Sequence, residues 1–383
     1  MEDWVGEPGL IHHSSVPSSR SSSFRSALVA YAALAAASVL LTWFYVGAER
    51  CVYYWDFVNF QNRAFFLAEL ACARPLSAAA AVIRSLHHDY TYLPCVPLVP
   101  VLLAFGRSRM VFELALALVY LAPFCLVCAA LTARITRRRG DALSWPAAAI
   151  ALLTPAACVP VFRGYPDLGG AALVGMAFLL LFRDPAFRRQ RSRYAIAALL
   201  ALAALFRRHY AYSAAALAAV VLMGILAAAV SGLRTGRHAA IARALRRGQA
   251  LAHLCLALAV FSSPLLVTAL AGGYSRLYRS YQESAWATLG FFGSAFGWLP
   301  LALGAAGLLW TARRRGISGH HARLLALFGC AFLAFWALGG RFTGVHYATH
   351  LAAPAIVPAI TEIKTTSTKR YLWARYAILI RIV

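Results

Sequence analysis

The sequence predicts an all-α fold, a polytopic bundle of about ten transmembrane helices with juxtamembrane helices on the outer face. Three observations carry this expectation. Of 383 residues, 61% are hydrophobic and 13% charged, against roughly 25% charged in soluble chains, and the mean hydropathy is +0.67. Apolar runs long enough for a bilayer recur along the chain. Arginine clusters fall between alternate runs. Gly, Pro and Cys number 26, 16 and 8, which excludes collagen-like, disordered and disulfide-scaffold classes. A net charge of +24 suggests nucleic acid on a soluble chain, but here topology accounts for it.

The first run, 26–46, follows a Ser-rich segment with Arg20 and Arg25 and ends in Trp43, Phe44 and Tyr45. An aromatic belt marks a retained span rather than a cleaved signal, so residues 1–25 read as a cytoplasmic tail. Later runs lie near 109–131, 144–162, 168–182, 195–206, 211–230, 250–271, 287–311, 325–338 and 350–363. If they alternate, one face gathers Arg134 and Arg137 to Arg139, then Arg183, Arg188, Arg189, Arg191 and Arg193. Arg234, Arg237, Arg243, Arg246, Arg247, Arg313 to Arg315 and Arg323 follow on that face. The positive-inside rule makes it cytoplasmic.

The charges that break this rule gather on the other face. Residues 47–108 form a large outer loop whose apolar pieces are too short to span and read as juxtamembrane helices. In YYWDFVNFQNR, Asp56, Asn59 and Arg63 lie at helical spacing. Asp56 reads either as a solvated acid beside an aromatic belt or as an ionisable group in a partly dry cleft. Three further outer loops carry polar clusters: RGYPDLGG with Asp167, FRRHYAY with Arg207 and Arg208, and GGRFTGVHYATH with Arg341, His346 and Tyr347. Arginine's fork suits phosphate oxygens, so Arg207, Arg208 and Arg341 read as an anion site; singly, each also reads as a snorkelling side chain.

Other motifs carry less. Cys125 and Cys128 lie mid-span as ordinary buried thiols. Cys51, Cys72 and Cys95 share the outer loop, which leaves room for one disulfide. His87, His88 and Asp89 suggest a solvated loop more than a metal, because adjacent His residues point to different sides of a helix. Gly169-Gly170 is no phosphate loop, lacking a Lys and a preceding strand.

Taken in order, these features resemble the GT-C superfamily of membrane glycosyltransferases, in the branch of protein O-mannosyltransferases and lipid A aminoarabinose transferases. The resemblance covers residues 26 to about 360. It rests on Asp56 in YYWDFVNFQNR, Asp89 in HHDYTYLPCVPLVPVLLAFGRSR and Asp167 in RGYPDLGG. It continues with Arg207 and Arg208 in LFRRHY, and Arg341, His346 and Tyr347 in RFTGVHYATHLAAP. This chain departs from the family in carrying one Asp where several members have a pair, and Arg-Arg-His where Lys is usual. No soluble C-terminal domain follows, and residues 364–383 form an atypical tail. The stretch TEIKTTSTKRYLWARYAILIRIV holds both lysines and reads as a frameshifted, truncated or alternative end in place of further spans.

The resemblance implies an integral membrane enzyme that moves a hexosyl or pentosyl group from a polyprenyl-phosphate donor to a lipid, glycan or protein acceptor at the outer face, with inversion. Asp56 would be the general base and Asp89 or Asp167 a helper, acceptor binder or metal ligand. Arg207, Arg208 and Arg341 would hold the lipid phosphate, and His346 and Tyr347 the donor. A divalent metal is allowed but not required, and no nucleic acid is implied. The rivals are a transporter or lipid flippase, whose charges belong at mid-membrane, and a noncatalytic membrane partner. Ala and Arg richness and the lack of sequons favour a bacterial inner membrane and a cell-envelope role over an ER membrane.

Overall fold

The computed structural model describes residues 20–50, 56–88, 90–136, 144–271, 282–298, 301–302, 319–337 and 344–349, with 351–353, 355 and 357 beyond. Among the described residues the secondary structure is helical, with no strand. Helix α1 spans Arg20–Ala48. Its outer face exposes Leu28, Val29, Leu40, Trp43 and Phe44, the apolar surface a lipid-facing span presents. The large loop then supplies α2 (Asp56–Ala73), α3 (Pro75–Ser85), a 3-10 turn (Leu93–Leu98) and α4 (Val99–Phe105). These elements lie between the first two long apolar helices. Cys72 and Cys95 are both free thiols, Cys95 buried, so these two form no disulfide; Cys51 lies outside the described residues.

Helices α5 (Arg109–Leu116) and α6 (Ala122–Thr136) are joined by a π turn at Ala117–Leu121. Pro123 lacks an N–H for the preceding turn, and the widened turn absorbs that break; the Tyr31 hydroxyl donates to the Leu118 carbonyl at 3.1 Å. The Glu113, Arg109 and Glu49 side chains pair beside it at 2.9 and 3.0 Å. This accounts for one of the arginines on the Arg-poor side. Helices α7 (Trp145–Leu153) and α8 (Pro155–Phe162) meet at 54°. Thr154 is extended there, as a residue before proline must be.

The bundle continues with α9 (Asp167–Arg183), α10 (Gln190–Phe206), α11 (Ala211–Arg234), α12 (His238–Phe261), α13 (Ser263–Ala271), α14 (Ala285–Phe296) and α15 (Gly319–Ala337). The apolar run read at 195–206 is therefore longer as a helix, because the polar Gln190 to Arg193 turn continues it. The run read at 250–271 is broken at Ser262, and its helix starts much earlier, in the Arg-rich segment from His238. Among the described residues, three helices, Leu28–Ala48, Arg109–Ile135 and Arg208–Arg234, are long and apolar enough to cross a membrane, or four if the bent α7–α8 pair is one span. Small residues let the middle of the bundle close up: Gly169, Gly170, Ala171, Ala172 and Gly175 of α9 are all buried, so neighbouring backbones approach closely.

Candidate active site

The site forms where four chain segments meet at one end of the bundle. Two acids open helices there, at positions where free N–H groups favour a carboxylate: Asp56 is the first residue of α2 and Asp167 the first of α9. Their environments differ. The Asp56 side chain is 24% exposed and that of Asp167 is fully buried.

Arg207 joins them. It closes α10 with an extended backbone, φ −152° and ψ 129°, before a single 3-10 turn (Arg208–Tyr210) leads into α11. That break points the guanidinium inward instead of along the helix. Its Nε donates to Asp167 Oδ1 at 3.0 Å and its Nη2 lies 3.6 Å from Asp56 Oδ2. The cation also packs on the Phe60 and Tyr90 rings, 5.1 and 5.6 Å from their centroids. Burial works against the Asp167 charge and the guanidinium works for it. Asp167 Oδ2 is buried without a hydrogen-bond partner among the described residues, so an acceptor is left over inside the cluster.

A second arm reaches Asp56 from the segment after α3. The Tyr90 hydroxyl donates to Asp56 Oδ1 at 2.5 Å. Its loop is fixed at two points. Arg63 Nη1 donates to the Tyr90 carbonyl at 2.6 Å while its Nε donates to Asn59 at 2.9 Å. The Thr91 hydroxyl donates at 2.9 Å to the Leu205 carbonyl, one of those left unpaired at the end of α10.

On the far side of Asp167, the Tyr210 hydroxyl donates to the Asp167 carbonyl and pairs with the Thr349 hydroxyl at 2.9 Å. His209 Nε2 lies 3.3 Å from Thr349 Oγ1 and 3.8 Å from Asp167 Oδ1. Tyr210 fits here only because position 170 is glycine: a Cβ on Gly170 would lie 2.2 Å from its ring. The Gly-Gly pair thus serves close packing.

The structure brings together Asp56, Asp167 and Arg207, with Arg208 next in the chain. The Tyr347 ring meets His209 edge-on at 5.7 Å, and His346 lies in the same 3-10 turn, Val345–Ala348. Asp89, Arg341 and the His346 side chain lie outside the described residues, as do Tyr53 to Trp55 and the tail 364–383. Tyr90 and Thr349 are the contacts not singled out from the sequence, whereas His209 and Tyr210 belong to the FRRHYAY cluster read there. Tyr90 follows Asp89 directly in HHDYTY, and His209 and Tyr210 stand in RRHYAY, so the signal was polar company at a helix end. Among the described residues no three His, Cys, Asp or Glu side chains are grouped to hold a metal; His87 and His88 are exposed after α3. Chemically, the cluster offers a partly exposed carboxylate held by a phenol and a guanidinium.

No family model and no curated relative matches the sequence. The structure is similar to two crystal structures of ArnT from Cupriavidus metallidurans. The one bound to undecaprenyl phosphate matches with a TM-score of 0.52 and 17% identity, over 86% of this chain and 60% of that one. The apo state matches with a TM-score of 0.51 and 18% identity, over 88% and 60%. The chain therefore spans about three fifths of the length of those proteins and shares their fold.

Proposed function

We propose that the protein is an integral membrane glycosyltransferase that moves a hexosyl or pentosyl group from a polyprenyl-phosphate carrier to an acceptor hydroxyl at the outer face of a bacterial inner membrane. The observation that carries this reading is the Asp56–Arg207–Asp167 cluster, within a fold shared with a structure bound to undecaprenyl phosphate. Asp56 is the general base. It is the more exposed of the two acids and its carboxylate is oriented by Tyr90. It takes the acceptor hydroxyl proton as the acceptor oxygen bonds to the anomeric carbon, and the bond from that carbon to the phosphate oxygen breaks with inversion. The phosphate then leaves on its lipid, its charge neutralised by arginine.

Arg207 has two roles in this scheme. Its short bond to Asp167 anchors it, and its longer contact to Asp56 is the arm that exchanges to the lipid phosphate, joined by Arg208 and Arg341. Asp167 is the helper acid, its free oxygen available to an acceptor hydroxyl, and Asp89 completes the acid set from the outer loop. His346 and Tyr347 contact the donor. About ten spans across residues 26–363, with 47–108 outside, complete the topology. The placement of these charges at one end of the bundle, rather than at its middle, favours an enzyme over a transporter.

The test is reconstitution in vesicles with radiolabelled polyprenyl-phosphate sugars, with and without a chelator, followed by measurement of released polyprenyl phosphate. Release that depends on an added acceptor supports the reading. A folded protein that consumes no donor, or that moves the intact lipid between leaflets, counts against it.

A further inference from the structure

At the opposite end of α9, α10 and α11 from Asp56, a cavity of about 770 Å³ opens between the loop after α9, the start of α10 and the first half of α12. Arg188, Arg193, Arg243, Arg246, Arg247 and His253 line it, with no Asp or Glu among the lining residues. An arginine that only sets topology needs to reach water on the correct side of the membrane. Two of these are half-buried. Arg193 and Arg247 each bury an Nε that has no hydrogen-bond partner among the described residues, and a buried donor left unpaired is costly.

Arg193 Nη1 lies 3.4 Å from His253 Nδ1, a ring nitrogen that supplies no negative charge. Arg247 is fixed by donating from Nη2 to the Pro185 carbonyl at 2.8 Å, and it lies close enough to Arg323 for the two cations to repel. Asp184, in the adjoining loop, is outside the cavity lining, its two oxygens accepting the backbone N–H groups of Arg188 and Arg189 at 3.0 and 2.9 Å. The arrangement is short of an anion with several acceptor oxygens.

We propose that this cavity binds a phosphate ester, with Arg193 and Arg247 as the inner donors and Arg188, Arg243 and Arg246 at the rim. Guanidinium forks match phosphate oxygens in charge and geometry. Helix α12 exposes Leu245 between the lining residues Ala244 and Arg246, an apolar edge that suits an anionic phospholipid headgroup. A soluble phosphate ester shares the recognition chemistry, and the experiment separates the two sources. The site is independent of the sugar-transfer reading.

The full chain is placed in phosphatidylcholine nanodiscs and amide exchange is followed over 184–193 and 238–253, with added phosphatidylglycerol of the same acyl chains or with soluble glycerol 3-phosphate. Phosphatidylglycerol is expected to slow exchange in both segments, with half-saturation weakened about fivefold for each inner arginine removed in Arg193→Gln and Arg247→Gln. Slowing by glycerol 3-phosphate to the same extent supports the site with a soluble source. If the inner variants do not fold, the exposed rim pair Arg188→Gln/Arg243→Gln is compared in their place. No slowing by either probe in the wild type, or equal slowing in folded variants, overturns the proposal.

Discussion

The Tyr90 hydroxyl donates to Asp56 Oδ1 at 2.5 Å, a bond that ties the turn after α3 to the helix bearing the proposed base. It leaves Asp56 Oδ2 toward Arg207 and the open edge of the cluster. Tyr90→Phe keeps the ring that packs on Arg207 and removes only the hydroxyl. Transfer is expected to fall roughly 10- to 100-fold, while thermal unfolding in detergent changes by only about 1 kcal/mol. A large loss of stability with normal turnover per folded molecule would make Tyr90 a structural residue only.

Arg207 faces a buried acid, so its removal should first be read as a stability effect. Arg207→Gln leaves the Asp167 carboxylate uncompensated and is expected to cost about 3–5 kcal/mol. Adding Asp167→Asn to that variant should recover much of the loss, since removing both members of a buried pair costs less than removing one. Denaturation of the two single variants and the double variant checks this. Additive losses would mean the pair is not coupled.

Gly170→Ala would place a methyl group 2.2 Å from the Tyr210 ring. The ring must shift away from the Asp167 carbonyl and Thr349, with an expected cost of about 1–3 kcal/mol and reduced transfer. Gly224→Ala supplies the control: nothing lies within 4 Å of its added Cβ, and in mid-helix the change should stabilise by up to ~1 kcal/mol. Comparing the melting temperatures of the two variants tests the close-packing role of the Gly-Gly pair.

Much of this arrangement was legible in the sequence because charge in a membrane protein is sparse. Asp56, Asp167 and Arg207 were charges that topology did not explain, and alternation of the runs put them on one face before any contact was known. Tyr90 was not legible: it lies 34 residues from Asp56, and one tyrosine among many carries no periodic signal. Helix limits were blurred where polar turns extend an apolar run, as at Gln190 to Arg193 and in the Arg-rich start of α12. The same blindness hid the inner arginines. Arg193 and Arg247 look like any other topogenic charge until their buried Nε atoms are seen.

The central claim is that Asp56 is the base for transfer of a sugar from a polyprenyl-phosphate carrier. The most direct measurement is the initial rate of acceptor-dependent polyprenyl-phosphate release by wild type and Asp56→Asn, reconstituted at matched density and orientation. Asp56→Asn preserves size and a polar head at a partly exposed position, so insertion should be unchanged. A rate at least about 100-fold lower, consistent with the loss of a positioned base, is the expected result. Wild-type turnover by Asp56→Asn would contradict the account.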